Sequence, residues 1–198
     1  MTSGWANPSI LGWLVFGIMT IFFGLLLLPG PYSSGLTVFS GSAHGLVFSA
    51  FGIGTMAYGV AVLLALVGLI SLFQGHTFWG SVFLGYGAFW GLFGFSSHHG
   101  GFAGYGMAAV AFLWLLFTFT FFLSSMKHGW GTFFAFLFLL VAFAVLTVAF
   151  WQIGAGTKIS SSESWAFGGE LIVTGFLWWY GGTAALTNHT YGKKILPT

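Results

Sequence analysis

The sequence predicts an all-α, polytopic membrane protein with six transmembrane helices. Of 198 residues, 58% are hydrophobic and only 3% charged, whereas water-soluble domains give about a quarter of their positions to Asp, Glu, Lys and Arg. The charges are Lys127, Lys158, Lys193, Lys194, Glu163 and Glu170, so neither Arg nor Asp is present to organise a water-facing surface. The apolar residues fall into six runs close to the ~20 residues an α-helix needs to cross a hydrocarbon core. Mean hydropathy is +0.98, and residues 1–198 read as a single six-helix domain with no soluble appendage.

The first span, Pro8 to Leu28, opens on Asn7-Pro8 and is stopped by Pro29-Gly30-Pro31. Asn can cap free backbone N–H groups, and Pro is tolerated at the first helical position. No basic segment precedes this run and no small-residue cleavage site follows it, so it does not read as a signal peptide. After the Gly- and Ser-rich stretch Pro31 to Gly45, the second span runs from Leu46 to Phe73. Gln74-Gly75-His76-Thr77 separates it from the third, Phe78 to Phe95. Thr77 suits a cap at the start of that helix, with a ligand-facing hydroxyl as the second reading. Ser96 to Gly101 leads to the fourth span, Phe102 to Leu123, and Ser124 to Thr132 to the fifth, Phe133 to Ile153. Gly154 to Ser164 precedes the sixth, Trp165 to Leu186, and each of these breaks is rich in Gly, Ser, His or Lys.

Six crossings put both termini on the side that holds Lys127, Lys193 and Lys194, against Lys158 and Glu163 on the other. Excess positive charge marks the cytoplasmic face, so the chain reads as a multi-pass cell-membrane protein with both ends in the cytoplasm. Its few lysines point to no nucleic-acid partner.

Thirty-two glycines need a packing explanation, because lipid gives helices no hydrophobic reason to associate and close backbone approach takes its place. In the third span Gly80, Gly87, Gly91 and Gly94 share one helical face, and Phe83, Tyr86 and Trp90 share another. Gly41/Gly45, Ala61/Ala65 and Gly100/Gly104 are further small-residue pairs.

Catalysis is disfavoured by inventory, since acid–base and metal mechanisms need clustered His, Asp or Glu in a polar pocket. With no cysteine, disulfides and thiolate sites are excluded. His44, His98 and His99 fall at outer span ends and His76, His128 and His189 at inner ones. Haem normally takes axial ligands from within helices, so the reading calls for no cofactor and no metal. Glu170 is the one carboxylate inside an apolar run, about one and a half turns into the sixth span. It is either an ionisable functional group or a residue reaching headgroups or packing in neutral form. Glu163, in Ser-Ser-Ser-Glu-Ser, suits a helix N-terminus. The helix start at Asn7-Pro8 offers donors and partial positive charge to an anion, although capping alone also explains the dipeptide.

Asn7-Pro8-Ser9-Ile10-Leu11-Gly12, Gly75-His76-Thr77-Phe78, Tyr86-Gly87-Ala88-Phe89-Trp90 and Tyr191-Gly192-Lys193-Lys194-Ile195-Leu196-Pro197 follow one another along the chain. In this order they resemble the signatures of the acetate uptake transporter family. That resemblance implies a cyclic hexamer with a substrate path through each protomer, and small monocarboxylates as cargo, acetate above all and in some members succinate. It also implies an apolar constriction that falls on Phe16, Tyr86 and Leu139, with Thr20 as a polar neighbour one turn beyond Phe16. Asn7, Pro8 and Thr77 would supply helix-end donors, and Gly87, Phe89 and Trp90 would support the constriction.

The chain departs from the family pattern at Ser71 and Ala185, where relatives carry carboxylates, at His76, where they have Asn, and at Trp178-Trp179, where they have small residues. These changes bear on proton coupling, dicarboxylate transport and the width of the route. Acetate is almost wholly an anion at neutral pH, and moving an anion inward costs about 2.3 kcal/mol per 100 mV. With so few ionisable groups in the spans, a channel-like or loosely proton-coupled route is expected over a tightly coupled pump. The rival readings are a channel for ammonia, formate or urea, a haem-bearing membrane anchor, and a non-transporting interaction protein.

Overall fold

The computed structural model describes residues 7–28, 50–99 and 104–197, and these contain six α-helices. They are α1 (Ser9–Leu27), α2 (Ala50–Phe73), α3 (Thr77–His99), α4 (Tyr105–Ser125), α5 (Trp130–Gly154) and α6 (Ser161–Tyr191). The Pro29-Gly30-Pro31 stop, His44, the Gly41/Gly45 pair and Gly100 lie outside the described residues.

α1 to α5 are long and apolar enough to cross a membrane. α6 is less apolar overall, because it includes Gly, Ser, Glu, Asn and His, yet it is the longest helix at 31 residues. It lies antiparallel along α1, with Gly24 against Gly168, Gly17 against Gly175 and Leu14 against Gly182.

The same construction recurs in a second pair. α2 and α3 run antiparallel with Gly54 opposite Gly94, Ala61 opposite Gly87 and Gly68 opposite Gly80, so the glycine face of α3 is the face that meets α2. In both pairs the small residues recur every seventh position, which keeps them on one seam of a helix and lets backbones approach. A Cβ added to Gly175 would lie 2.6 Å from the Ile21 backbone nitrogen and 2.7 Å from the Gly17 carbonyl oxygen. α4 and α5 form a third antiparallel pair, with Gly104 against Gly154 and Tyr105 against Trp151.

Helix ends follow their local chemistry. Pro8 is already helical at φ −68° and ψ −22°, and the Ser9 amide donates to Asn7 Oδ1 at 3.0 Å. Thr77 sits in the first turn of α3 rather than at its cap, a correction to the sequence reading; the His76 carbonyl accepts from the Gly80 amide there. α6 starts earlier than the apolar run suggests because Ser160 and Glu163 close a capping box. The Ser160 amide and hydroxyl donate to Glu163 Oε2, and Gln152 Nε2 donates to Oε1. At the other end Gly192 closes α6 at φ 64°, a left-handed backbone that favours Gly. Asn188 then ties the tail back, its Oδ1 accepting from the Ile195 and Leu196 amides and its Nδ2 donating to the Leu196 carbonyl.

The capping box gives a pH-dependent helix end. Hydrogen bonds from Ser160 and then Gln152 hold the Glu163 carboxyl below its ordinary range. The stabilisation is therefore complete above the unfolded value of about 4.3 and is lost as pH falls through the lower folded value. Amide exchange in the first turn of α6 should accelerate below about pH 4 relative to the intrinsic rate. Glu163→Gln should remove that acid step, and an identical exchange profile in the two proteins would refute the assignment.

Candidate functional site

The antiparallel pairing brings the start of α1, the start of α3, the α4–α5 turn and the C-terminal half of α6 to one end of the bundle. There they enclose a cavity of about 240 Å³ lined by Asn7, Ser9, Ile10, Trp13, Trp79, His128, Gly131, Thr132, Gly181 and Ala185. Asn7 and the first turn of α1 stand at this mouth. Ser9 Oγ is buried with no hydrogen-bond partner among the described residues. His128 stacks on Phe78 with centroids 4.2 Å apart. Thr77 is exposed and does not line the cavity.

Beyond the mouth the interior closes on aromatic rings. Phe16 and Tyr86 lie centroid to centroid at 5.1 Å, and Trp178 fits between Trp13 and Phe16 at 4.6 Å from each. Phe143 stacks on Tyr86 at 6.0 Å, and Phe136 meets Trp178 edge-on at 5.1 Å. Past this block a second cavity of about 20 Å³ is lined by Phe16, Thr20, Phe23, Phe89, Trp90, Leu139, Ala142, Phe143, Leu146 and Leu171. It has the volume of about one water and an apolar wall. Phe16 borders the block and this chamber, and Leu139 faces the chamber beside it.

The polar atoms here are mostly committed. Thr118 Oγ1 donates to the Trp114 carbonyl at 2.7 Å, so its lone pairs accept the Tyr86 hydroxyl proton at 2.9 Å. The Tyr86 hydroxyl is thereby turned towards α4, and its ring is what it presents to Phe16. Thr20 Oγ1 donates back to the Phe16 carbonyl at 2.8 Å, which leaves the chamber only its lone pairs. Gly87 packs on α2, where a Cβ would meet the Ala61 carbonyl at 3.1 Å, and so belongs to the helix seam. Phe89 and Trp90 touch each other at 5.4 Å and also face the chamber, which the supporting role expected of them does not include.

Glu170 stands about two and a half turns from the start of α6, because that helix begins at Ser161. Oε1 accepts from Thr174 Oγ1 at 2.8 Å, and Oε2 is buried with no partner among the described residues. It lines neither cavity. Among the described residues no three His, Cys, Asp or Glu side chains group as metal ligands would.

Sequence reasoning missed Thr118, Trp13 and Phe143 as parts of this interior. Thr118 is one of two threonine hydroxyls, with Thr120, inside the fourth span, a signal available in the sequence, but its partner 32 residues away is set by the α3–α4 packing.

No family model matches the chain. An uncharacterized protein of Methanothermobacter thermautotrophicus is 33% identical over 207 aligned positions, which cover 98% of this chain and 91% of the relative. Among solved structures, the bacterial acetate channel SatP superposes with a TM-score of 0.73 and 24% identity over 98% of both chains. The protein belongs to one family with the Methanothermobacter protein, and its fold is that of the acetate channel, so the likeness to acetate uptake transporters read from short motifs extends over the whole chain.

Proposed function

We propose that the protein is a cell-membrane channel or loosely proton-coupled carrier for acetate and similar small monocarboxylates, with one path through each protomer. The observation that carries this reading is the succession, inside a single bundle, of a polar-lipped cavity, an aromatic constriction and a small apolar chamber. Its agreement in fold with an acetate channel supports the choice of cargo.

The unpaired Ser9 hydroxyl, the Asn7 side-chain NH2 and His128 suit a carboxylate at the mouth. Phe16, Tyr86 and Leu139 form the constriction, which a charge enters only at a cost of several kcal/mol. The neutral acid meets no such cost, so cargo and proton cross together and no ionisable relay is needed within the path. α6 is the sixth crossing, the mouth and both termini face the cytoplasm, and the protomers assemble as a hexamer. Dicarboxylates such as succinate fit this path poorly, since a second carboxyl would also have to be protonated.

Purified protein in liposomes should take up labelled acetate when the outside is acidified, several-fold faster than protein-free vesicles. Unlabelled propionate should compete, while urea and ammonia should not. Vesicles that stay acetate-tight, competition by urea or ammonia alone, or a haem absorption band in the purified protein would each overturn the reading.

A further inference from the structure

A residue of α6 bridges the linings of the two cavities. Trp178 is fully buried and touches Trp13, which lines the mouth, and Phe16, which lines the chamber, with ring centroids 4.6 Å from each. Phe136 at 5.1 Å and Tyr86 at 6.2 Å complete its surroundings. Any molecule moving from mouth to chamber must pass or displace this indole. The indole is also fixed in place, since its Nε1–H donates to the Ala135 carbonyl of α5 at 3.1 Å. Neighbouring Trp179 is different: its ring lies tilted against that of Phe176, an exposed residue, at 5.5 Å and lines neither cavity.

We propose that Trp178 sets the size limit of the path, confining cargo to the smallest carboxylic acids and excluding those with longer chains. The proposal rests on the reading of the protein as an acid transporter and assigns its specificity to a side chain outside the Phe16, Tyr86 and Leu139 set. The indole fills the junction with a rigid body that has two rotatable bonds, so small cargo passes with a modest tilt of the ring. A longer chain needs the Ala135 hydrogen bond broken and the ring swung into space that Trp13, Phe16 and Phe136 already fill. Shortening residue 178 removes both obstacles.

The test compares butyrate with acetate uptake in liposomes holding the full-length protein, with flux through protein-free vesicles subtracted. Trp178→Ala should raise the butyrate-to-acetate ratio about tenfold, the range open to discrimination by hydrophobic fit. Trp178→Phe, which keeps a ring but loses the hydrogen bond, should raise it a few-fold, and Trp179→Ala should leave it unchanged. If the alanine variant does not fold, the phenylalanine variant decides. A wild type that carries acetate, together with Trp178 variants that keep its ratio, overturns the proposal alone. A wild type that carries no acid overturns the transport reading and this proposal with it. A rise as large in Trp179→Ala as in Trp178→Ala also overturns it, because the effect would then follow from loosening α6 rather than from opening the junction.

Discussion

Replacing Gly175 with leucine is expected to force α1 and α6 apart and to lower the stability of the fold sharply. The new Cβ would fall 2.6 Å from the Ile21 nitrogen and 2.7 Å from the Gly17 oxygen, which are backbone atoms that no rotamer change can move. The two helices must therefore part along their seam, giving up the close contact that substitutes for a hydrophobic drive in lipid. Overpacking a core ordinarily costs about 1–3 kcal/mol, and here the upper end is the minimum because the whole seam shifts. At 2–4 °C per kcal/mol for a chain of this size, detergent-solubilised protein should unfold about 10 °C lower. Gly169→Leu is the matched control: it adds the same side chain to the same helix at a position where a Cβ meets nothing within 4 Å. Equal melting temperatures for the two variants would show that the α1–α6 seam does not carry the fold.

That seam also shows how far the sequence could be read. The glycine face of α3 is visible in the chain, since Gly80, Gly87 and Gly94 sit in an otherwise large-residue helix. The matching series Gly54, Ala61 and Gly68 and Gly168, Gly175 and Gly182 are equally regular, but among 32 glycines only the pairing of helices distinguishes a seam from scatter. Five of the helices follow from apolar length alone, α6 is less apolar, and the helix ends do not follow from hydropathy. α6 begins at Ser161 because a capping box outweighs the polar composition of Ser-Ser-Ser-Glu-Ser, and this sets a full helical turn ahead of the apolar run. Of the candidate site, Phe16 and Tyr86 do lie together and Leu139 shares the chamber with Phe16. The sequence marks Trp178-Trp179 as a departure that bears on the width of the route, but no linear pattern discloses that Trp178 rather than Trp179 meets Phe16, or that Thr118 accepts the tyrosine's hydrogen bond.

Phe16→Ala should raise acetate flux at least tenfold and, more tellingly, flatten its dependence on pH. In the wild type the ring of Phe16, only 2% exposed, lies 4.6 Å from Trp178 and 5.1 Å from Tyr86, so under the proposed function the constriction is dry and would pass the neutral acid. Above the carboxyl pKa of about 4–5 the neutral fraction falls tenfold per pH unit, and wild-type uptake should fall with it between pH 5.5 and 7.5. Removing the ring joins the chamber to the constriction and makes room for water. A hydrated anion then escapes much of the roughly 2.5–3.5 kcal/mol that a charge at the membrane centre costs, so the anion carries flux that does not vary with pH. Tyr86→Ala should act in the same direction. Tyr86→Phe should not, because it keeps the ring and loses only a hydroxyl already paired with Thr118. Core truncations of this kind cost about 3–5 kcal/mol, so each variant is to be compared at equal folded amount by size-exclusion profile. If Phe16→Ala and Tyr86→Ala both keep the wild-type rate and the wild-type slope against pH, the path does not run between these two rings.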